Sequence, residues 1–393
     1  MTPPSIREVT AITVQSQSPL SLYVHYPWCE RKCPYCDFNS HESAELPEGA
    51  YIDALLQDLQ NDLHYVEDRR VNTVFIGGGT PSLLSTGGLA RLMSGIAERV
   101  ELSTAVEVTM EANPGSAESA KFEGFRQAGV NRLSLGIQSF DDRQLQQLGR
   151  VHNSSQAHAA IEMAQSAGFD NFNLDLMHGL PGQSVASACA DLTTALQYCP
   201  PHLSWYQLTI EPNTVFHKHP PELPVEDNLA DIQEQGERLL ERAALAQYEV
   251  SAYSQSGKNC RHNLNYWGFG DYLGIGAGAH GKVSMCNGRI LRYSKKRQPS
   301  EYMAGQSGGY VANSRALEEG EIAGEFMLNA LRLNRGFSMT EFRASTGLAE
   351  SVLQPQLQEL TDKNLLRVCG HQVSTTALGR RFLDNVVAEF FPD

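Results

Sequence analysis

The stretch Tyr23-Val-His-Tyr-Pro-Trp-Cys-Glu-Arg-Lys-Cys-Pro-Tyr-Cys-Asp-Phe38 sets three cysteines, Cys29, Cys33 and Cys36, in a C-x3-C-x2-C spacing. No fourth cysteine lies nearby. A structural zinc site takes four ligands, and an ordinary ferredoxin cluster takes four thiolates. Three thiolates on one short loop fit a cubane cluster that leaves one iron open to a small molecule. The rival reading, three buried thiols, fits poorly with Pro34 and Tyr35 between them. Just before the triad, Ser21–Tyr26 alternates like a strand, so the loop sits at a strand end.

Downstream of that strand, strand-like and helix-like segments alternate to about residue 250. Short apolar or alternating runs at 73–76, 106–110, 132–137, 171–177 and 203–209 read as strands. Helical periodicity falls at 48–67, 86–100, 116–128, 154–167, 184–198 and 227–247, with Gly129 and Gly168 as C-caps. About six βα units predict a parallel sheet with crossover helices. Polar and glycine residues recur at the strand ends: Gly77-Gly-Gly-Thr80, Glu111-Ala-Asn-Pro114, Gln138-Ser139, Asp175 and Glu211-Pro212. Catalytic groups of α/β barrels gather at that end. The fold class expected is therefore α/β, a partly open (β/α)6 TIM-like barrel over residues 1–250. Residues 251–318 read as a glycine-rich connecting segment with few periodic elements. Residues 319–393 read as a winged-helix-like domain, with helices at 321–333, 339–346, 348–363 and 376–391 and a wing at 365–374. In an acidic chain, that module is read as a packing or partner surface, not a DNA reader.

The 393 residues carry 31 Lys and Arg against 45 Asp and Glu, a formal charge of −14. That balance argues against general nucleic-acid binding. The small basic run Lys295-Lys296-Arg297 reads as a solvated loop. No apolar run of about 18 residues predicts a membrane span. The first residues lack the apolar core of a signal peptide, so a cytoplasmic location is expected. There, clustered cysteines stay reduced and read as metal ligands. The scattered Cys189, Cys199, Cys260, Cys286 and Cys369 read as small hydrophobes in or near a core.

The triad after a first barrel strand resembles the radical S-adenosylmethionine (SAM) superfamily. That resemblance implies a 4Fe–4S cluster on Cys29, Cys33 and Cys36. It implies that SAM chelates the fourth iron and is cleaved by one electron to a 5′-deoxyadenosyl radical. It assigns Gly78, Gly79 and Thr80 to the loop that meets the methionyl amine of SAM. Glu111, Gln138, Arg150 and Asp175 resemble the coproporphyrinogen III dehydrogenase-like branch. Equivalent residues there contact the ribose, carboxylate and adenosyl parts of SAM, and Tyr23 matches a further contact. An arginine suits a carboxylate and an acid suits ribose hydroxyls. Taken singly, each of these residues also reads as a cap or a surface charge. His178 stands where that branch commonly has a tyrosine.

Two families of the branch differ at the residue two places after Cys36. The dehydrogenase usually has a cysteine there; this chain has Phe38. Cys29 also comes early, without a long preceding extension, and Arg261-His-Asn-Leu-Asn-Tyr-Trp267 contains H-N-x-x-Y-W. These features resemble the HemW-type heme chaperones, over about residues 20–390. The resemblance implies heme binding and transfer to heme-accepting proteins, respiratory proteins being candidates. It makes His262 the heme ligand, imidazole being a common axial ligand. Tyr266 and Trp267 read equally as a porphyrin border or as core. The alternative function is the oxygen-independent dehydrogenase itself, which decarboxylates two propionates; a radical SAM enzyme with another substrate is a third. Gly276-Ala-Gly-Ala-His-Gly281 matches G-x-G-x-x-G in form, but Lys282-Val-Ser-Met opens no helix, so no dinucleotide is expected. His280, His217 and His219 are spare ligand candidates with structural readings.

Overall fold

The computed structural model describes residues 18–43, 45–115, 120–306 and 309–392. The first residues, read for a signal peptide, fall within 1–17 and lie outside them, as do 116–119 of the helix expected at 116–128. Twelve strands form the main sheet. Numbered along the chain they are β1 (Leu20–Tyr26), β2 (Val71–Gly78), β3 (Leu102–Ala112), β4 (Arg132–Gln138), β5 (Phe172–His178) and β6 (His202–Gln207). They continue as β7 (Ala246–Glu249), β8 (Ala252–Ser254), β9 (Asp271–Ile275), β10 (His280–Ser284), β11 (Ile290–Lys295) and β12 (Val311–Ala316). Their spatial order is β12-β11-β10-β9-β1-β2-β3-β4-β5-β6-β8-β7.

The six expected parallel strands, β1 to β6, lie side by side in chain order. Helices including Glu48–Asp62, Thr86–Ala97, Ser154–Ser166 and Val185–Leu196 occupy the crossovers. Side chains alternate across a strand. Leu22 and Val24 of β1 and Val74 and Ile76 of β2 therefore pack with helix residues Leu55, Leu59 and Leu92. The opposite face is polar: Ser21, Tyr23, Thr73, Glu107, Glu111, Arg132, Asn173 and Asp175. A parallel sheet with a polar inner face can hold a ligand only where those groups find partners.

Residues 251–318 are more regular than their composition suggests. β9 joins the sheet parallel to β1, on the side away from β2, and β10 to β12 extend it antiparallel. Their glycines answer crowding. A Cβ on Gly274 would stand 1.8 Å from the His280 carbonyl oxygen, and one on Gly281 would stand 2.1 Å from the Tyr293 ring. The segment after Gly278 is the strand β10, not a helix. Lys295 corrects the solvated-loop reading: it is 0 % exposed and bonds Asp58 at 2.6 Å and Asp62 at 2.7 Å. Cys199, Cys286 and Cys369 are exposed, and only Cys260 of the five scattered cysteines is buried.

The C-terminal helices are Glu319–Ala330, Met339–Thr346 and Gln354–Asp362, followed by the hairpin Leu366–Cys369 and Gln372–Thr375. Phe337–Ser338 adds a third strand to that hairpin. Phe326, Phe337, Phe342, Leu357 and Val373 make a separate core. The helix expected from 348 starts at 354, with proline in its first turn. The last helix breaks at Phe382. Among the described residues no helix is long and apolar enough to cross a membrane.

Candidate cluster and cofactor site

The chain leaves β1 at Tyr26 and enters the cysteine loop. Trp28–Cys29 pairs with His41–Glu42, which ties both ends of the loop together. Inside it, the Cys36 amide donates to the Cys33 carbonyl at 3.1 Å. Lys32 Nζ donates to the carbonyls of Phe38 (2.9 Å) and Ser40 (3.3 Å). Asn39 Nδ2 donates to the carbonyls of Ala277 (2.8 Å) and Arg297 (2.9 Å), and its own carbonyl meets His25 Nε2 at 2.9 Å. The loop is thus braced by backbone contacts that leave all three thiols free of disulfides. Cys29 is buried and the other two are half-buried. Burial pushes the Cys29 and Cys36 thiols up, so metal binding must displace their protons. This donor set fits a cluster ligated at three corners. Phe38 supplies no fourth thiol and is 57 % exposed.

The glycine loop at the end of β2 is stitched to the cysteine loop. Gly79 N donates to the Tyr26 carbonyl (2.7 Å) and Thr80 N to the Trp28 carbonyl (2.8 Å). Gly78 has φ +117, and a Cβ there would stand 2.6 Å from the His25 ring. Glycine is required by both conformation and space.

Around this loop the strand-end residues form a linked set. Gly78 N donates to Glu111 Oε2 at 3.0 Å. Asn113 Nδ2 donates to Thr80 Oγ1 (3.1 Å), and Asn113 Oδ1 accepts from Arg150 (2.6 Å). Arg150 also donates to the Gly136 carbonyl at 2.9 Å and stands 3.7 Å from the Cys33 sulfur. Its Nε is enclosed without a partner. Gln138, at φ +68, accepts from the Tyr206 hydroxyl at 2.7 Å. Asp175 accepts from Ser134 (2.9 Å) and Asn173 (2.7 Å). Tyr23 contacts His25 Nδ1 at 3.0 Å and stacks on Phe75. Burial, with Asp175 nearby, raises Glu111 to about 8 against the pull of the Gly78 N–H. Burial also raises Asp175. Near neutral pH Glu111 is thus largely a carboxylic acid, able to donate as well as accept.

The structure therefore bonds Gly78 to Glu111 and links Thr80 through Asn113 to Arg150 and Cys33, with Gln138 and Asp175 on the adjoining strands. Asn113, His25 and Asn39 belong to the same set and were missed. Asn113 stood in the strand-end run 111–114; nothing local marked the other two.

His262 lies elsewhere. Its helix, Arg261–Trp267, packs against the start of the strands: Glu107 accepts from the amides of Arg261 (2.9 Å) and His262 (3.2 Å). The imidazole is 2 % exposed, with Nδ1 2.8 Å from Thr73 Oγ1. Thr73 donates to Ser21 at 2.7 Å, so His262 Nδ1–H donates to Thr73 and Nε2 keeps an unpartnered lone pair. From Thr73 to Gly78 is about 16 Å along β2. His262 and the cysteine loop are at opposite ends of the barrel. Tyr266 lies between His262 and Tyr272, its ring tilted to both, and Trp267 lies under Arg332. His178 is buried against Trp205, 4.2 Å between rings.

A three-thiol loop after the first of six parallel strands, with acids and an arginine at the strand ends, defines a radical SAM fold and site. Residues 23–192 match the radical SAM superfamily, and residues 317–382 match the HemN C-terminal domain. Coproporphyrinogen III oxidase (HemN) from Escherichia coli, a radical SAM enzyme, shares the fold with a TM-score of 0.81 at 22 % identity, over 97 % of this chain and 92 % of that one. The chain belongs to the HemW heme chaperone family. It is 50 % identical over 376 residues to heme chaperone HemW of E. coli K12, covering 95 % of this chain and 99 % of that protein. It is 46 % identical to the Haemophilus influenzae protein of the same name (95 % and 98 % covered) and 34 % to that of Bacillus subtilis (94 % and 98 %).

Proposed function

We propose that this protein is a cytoplasmic heme chaperone, which binds heme and passes it to heme-accepting proteins. The carrying observation is identity of 50 % with a full-length heme chaperone, across both the barrel and the C-terminal helices. Phe38 in place of a further thiol supports this reading over the dehydrogenase. Cys29, Cys33 and Cys36 hold the 4Fe–4S cluster. Gly78, Gly79 and Thr80 offer backbone and hydroxyl groups to the methionyl end of SAM. Arg150 pairs with its carboxylate, and Tyr23, Glu111, Gln138 and Asp175 border its nucleoside. When bound, the cluster and SAM supply one-electron chemistry. The chain's own residues bind, orient and shield them. The division at about residues 250 and 318 is part of this proposal. His262 is a heme ligand once its helix swings away: Nδ1–H is held by Thr73, the arrangement that orients metal-binding imidazoles.

The test is heme titration of the reconstituted protein, run beside a decarboxylation assay. Heme binding with no consumption of coproporphyrinogen III is expected. Protoporphyrinogen formed with SAM and reductant would overturn the chaperone reading.

A further inference from the structure

Asn39 lies three residues past Cys36, and its amide faces the segment Gly276-Ala-Gly-Ala-His-Gly281. That glycine run binds no dinucleotide, yet it is shaped to receive the cysteine loop. A Cβ on Gly276 would stand 2.4 Å from the His25 carbonyl oxygen, and one on Gly278 would stand 2.4 Å from Asn39 Nδ2. The acceptors of the Asn39 amide are themselves fixed. Ala277 N donates to the Tyr51 hydroxyl at 2.9 Å, and that hydroxyl donates to the His25 carbonyl at 2.8 Å. Gly278 N donates to the Lys296 carbonyl at 2.8 Å, which ties together the turns carrying Ala277 and Arg297. The His41 ring lies against the same Arg297 carbonyl. Carbonyls only accept, so Asn39 turns its nitrogen to Ala277 and Arg297 and uses both amide hydrogens there.

The backbone of Asn39 reaches the other way. Its carbonyl also only accepts, so His25 Nε2 carries the ring hydrogen. Burial pushes His25 down to about 4, so the ring is neutral at pH 7 and Nδ1 is an acceptor. The Tyr23 hydroxyl, 3.0 Å away, therefore donates to Nδ1, and its oxygen keeps only lone pairs for a ligand. We propose that Asn39 is a positioning residue for the cluster and SAM site: its amide clasps the cysteine loop to the Gly276–Gly281 turn, and its carbonyl sets Tyr23 as an acceptor toward SAM. The group of SAM that meets Tyr23 is then a donor, a ribose hydroxyl or the ammonium, and not the carboxylate. This inference rests on the cluster and SAM reading and adds what holds the two in register.

Hydrogen exchange across residues 27–41 of the full chain without its cluster tests the clasp. Titration with SAM, read by electron paramagnetic resonance of the reduced cluster, tests the loaded protein. Asn39→Ala should quicken exchange in that loop about fivefold or more, the effect of losing one net hydrogen bond, while β4 and β5 stay slow. Asn39→Asp keeps the size, loses both donors and should do at least as much. Gly278→Ala should act similarly in the wild-type background. In Asn39→Ala, where the group it strikes is gone, it should add less than about twofold; the strain at φ +83 is common to both backgrounds and cancels. In the loaded protein Asn39→Ala should weaken SAM about fivefold or more and blunt the change that SAM makes in the resonance signal. Wild-type exchange in Asn39→Asp, equal effects of Gly278→Ala in both backgrounds, or full SAM affinity in Asn39→Ala would overturn the proposal. A wild-type chain that takes up no cluster would instead overturn the cluster reading, which the exchange measurement does not require.

Discussion

Arg150 stands 3.7 Å from the sulfur of Cys33 while its other nitrogen bonds Asn113 and the Gly136 carbonyl. A fixed positive charge thus joins Cys33 to the strand-end residues. Asn113 carries the link on to Thr80, and the Thr80 side chain reaches Cys29. The cysteine loop and the proposed SAM pocket form one bonded unit.

Arg150→Gln should weaken SAM binding to the reconstituted protein by about tenfold or more, since a hydrogen bond to a charged group contributes about 1.5–3 kcal/mol. Arg150→Lys should recover little, because an ammonium cannot span the same three acceptors. Titration calorimetry reads both. Unchanged SAM affinity in Arg150→Gln would remove the residue from the site.

Glu111 predicts a pH effect on stability. Its pKa is about 8 in the fold against 4.5 as its ordinary value. Between those values the folded chain binds more protons than the unfolded one, so this group lowers stability as pH rises from about 4.5 to 8. Each unit of difference corresponds to about 1.4 kcal/mol, of which solvent relaxation leaves a fraction. Glu111→Gln should flatten that part of the curve in urea denaturation without SAM. An identical slope in both proteins would contradict the assignment.

Lys295 offers a stability test away from the cofactors. It joins Asp58 and Asp62 in a buried core, where the Tyr302 hydroxyl donates to Asp58 at 2.6 Å and also accepts from Gly276 N at 2.9 Å. Lys295→Met leaves two carboxylates facing each other and should cost about 3–5 kcal/mol. A large fall in Tm is expected, and Lys296→Met, on a half-buried neighbour, should change it little.

Helix Arg261–Trp267 should respond to heme. Its amides are held by Glu107 and its side chains by Thr73, Asp271 and Arg332. If His262 takes heme, hydrogen exchange across 261–267 should quicken on heme addition, while exchange in β2 stays slow. An unchanged helix would exclude His262 as a ligand.

The six βα units were legible because each buried strand face alternates with a helix of matching apolar period. The cysteine loop was legible because thiols so spaced have few other uses. The sheet extension from β9 to β12 was not, because its strands are short and its glycines look like loop. Those glycines are dictated by partners such as His280 and Tyr293, a relation that spacing does not carry. The burial of Lys295 was hidden likewise, since its partners are on helix Glu48–Asp62. H-N-x-x-Y-W announced itself as a motif but not its end of the barrel, which depends on how the chain returns after β8.

β1 is hydrogen-bonded on both sides, to β2 and to β9. During synthesis β1 leaves the ribosome long before residues 271–275 exist. At about 5–20 residues per second, the delay is on the order of ten seconds to most of a minute. For that interval one side of β1 is an open strand edge, the kind that pairs with the wrong chain. The carbonyls of Ala277 and Arg297 that secure Asn39 also arrive only then. Insertion of the proposed cluster therefore belongs after most of the polypeptide is made, and a chain truncated before β9 should neither close its cysteine loop nor stay in solution.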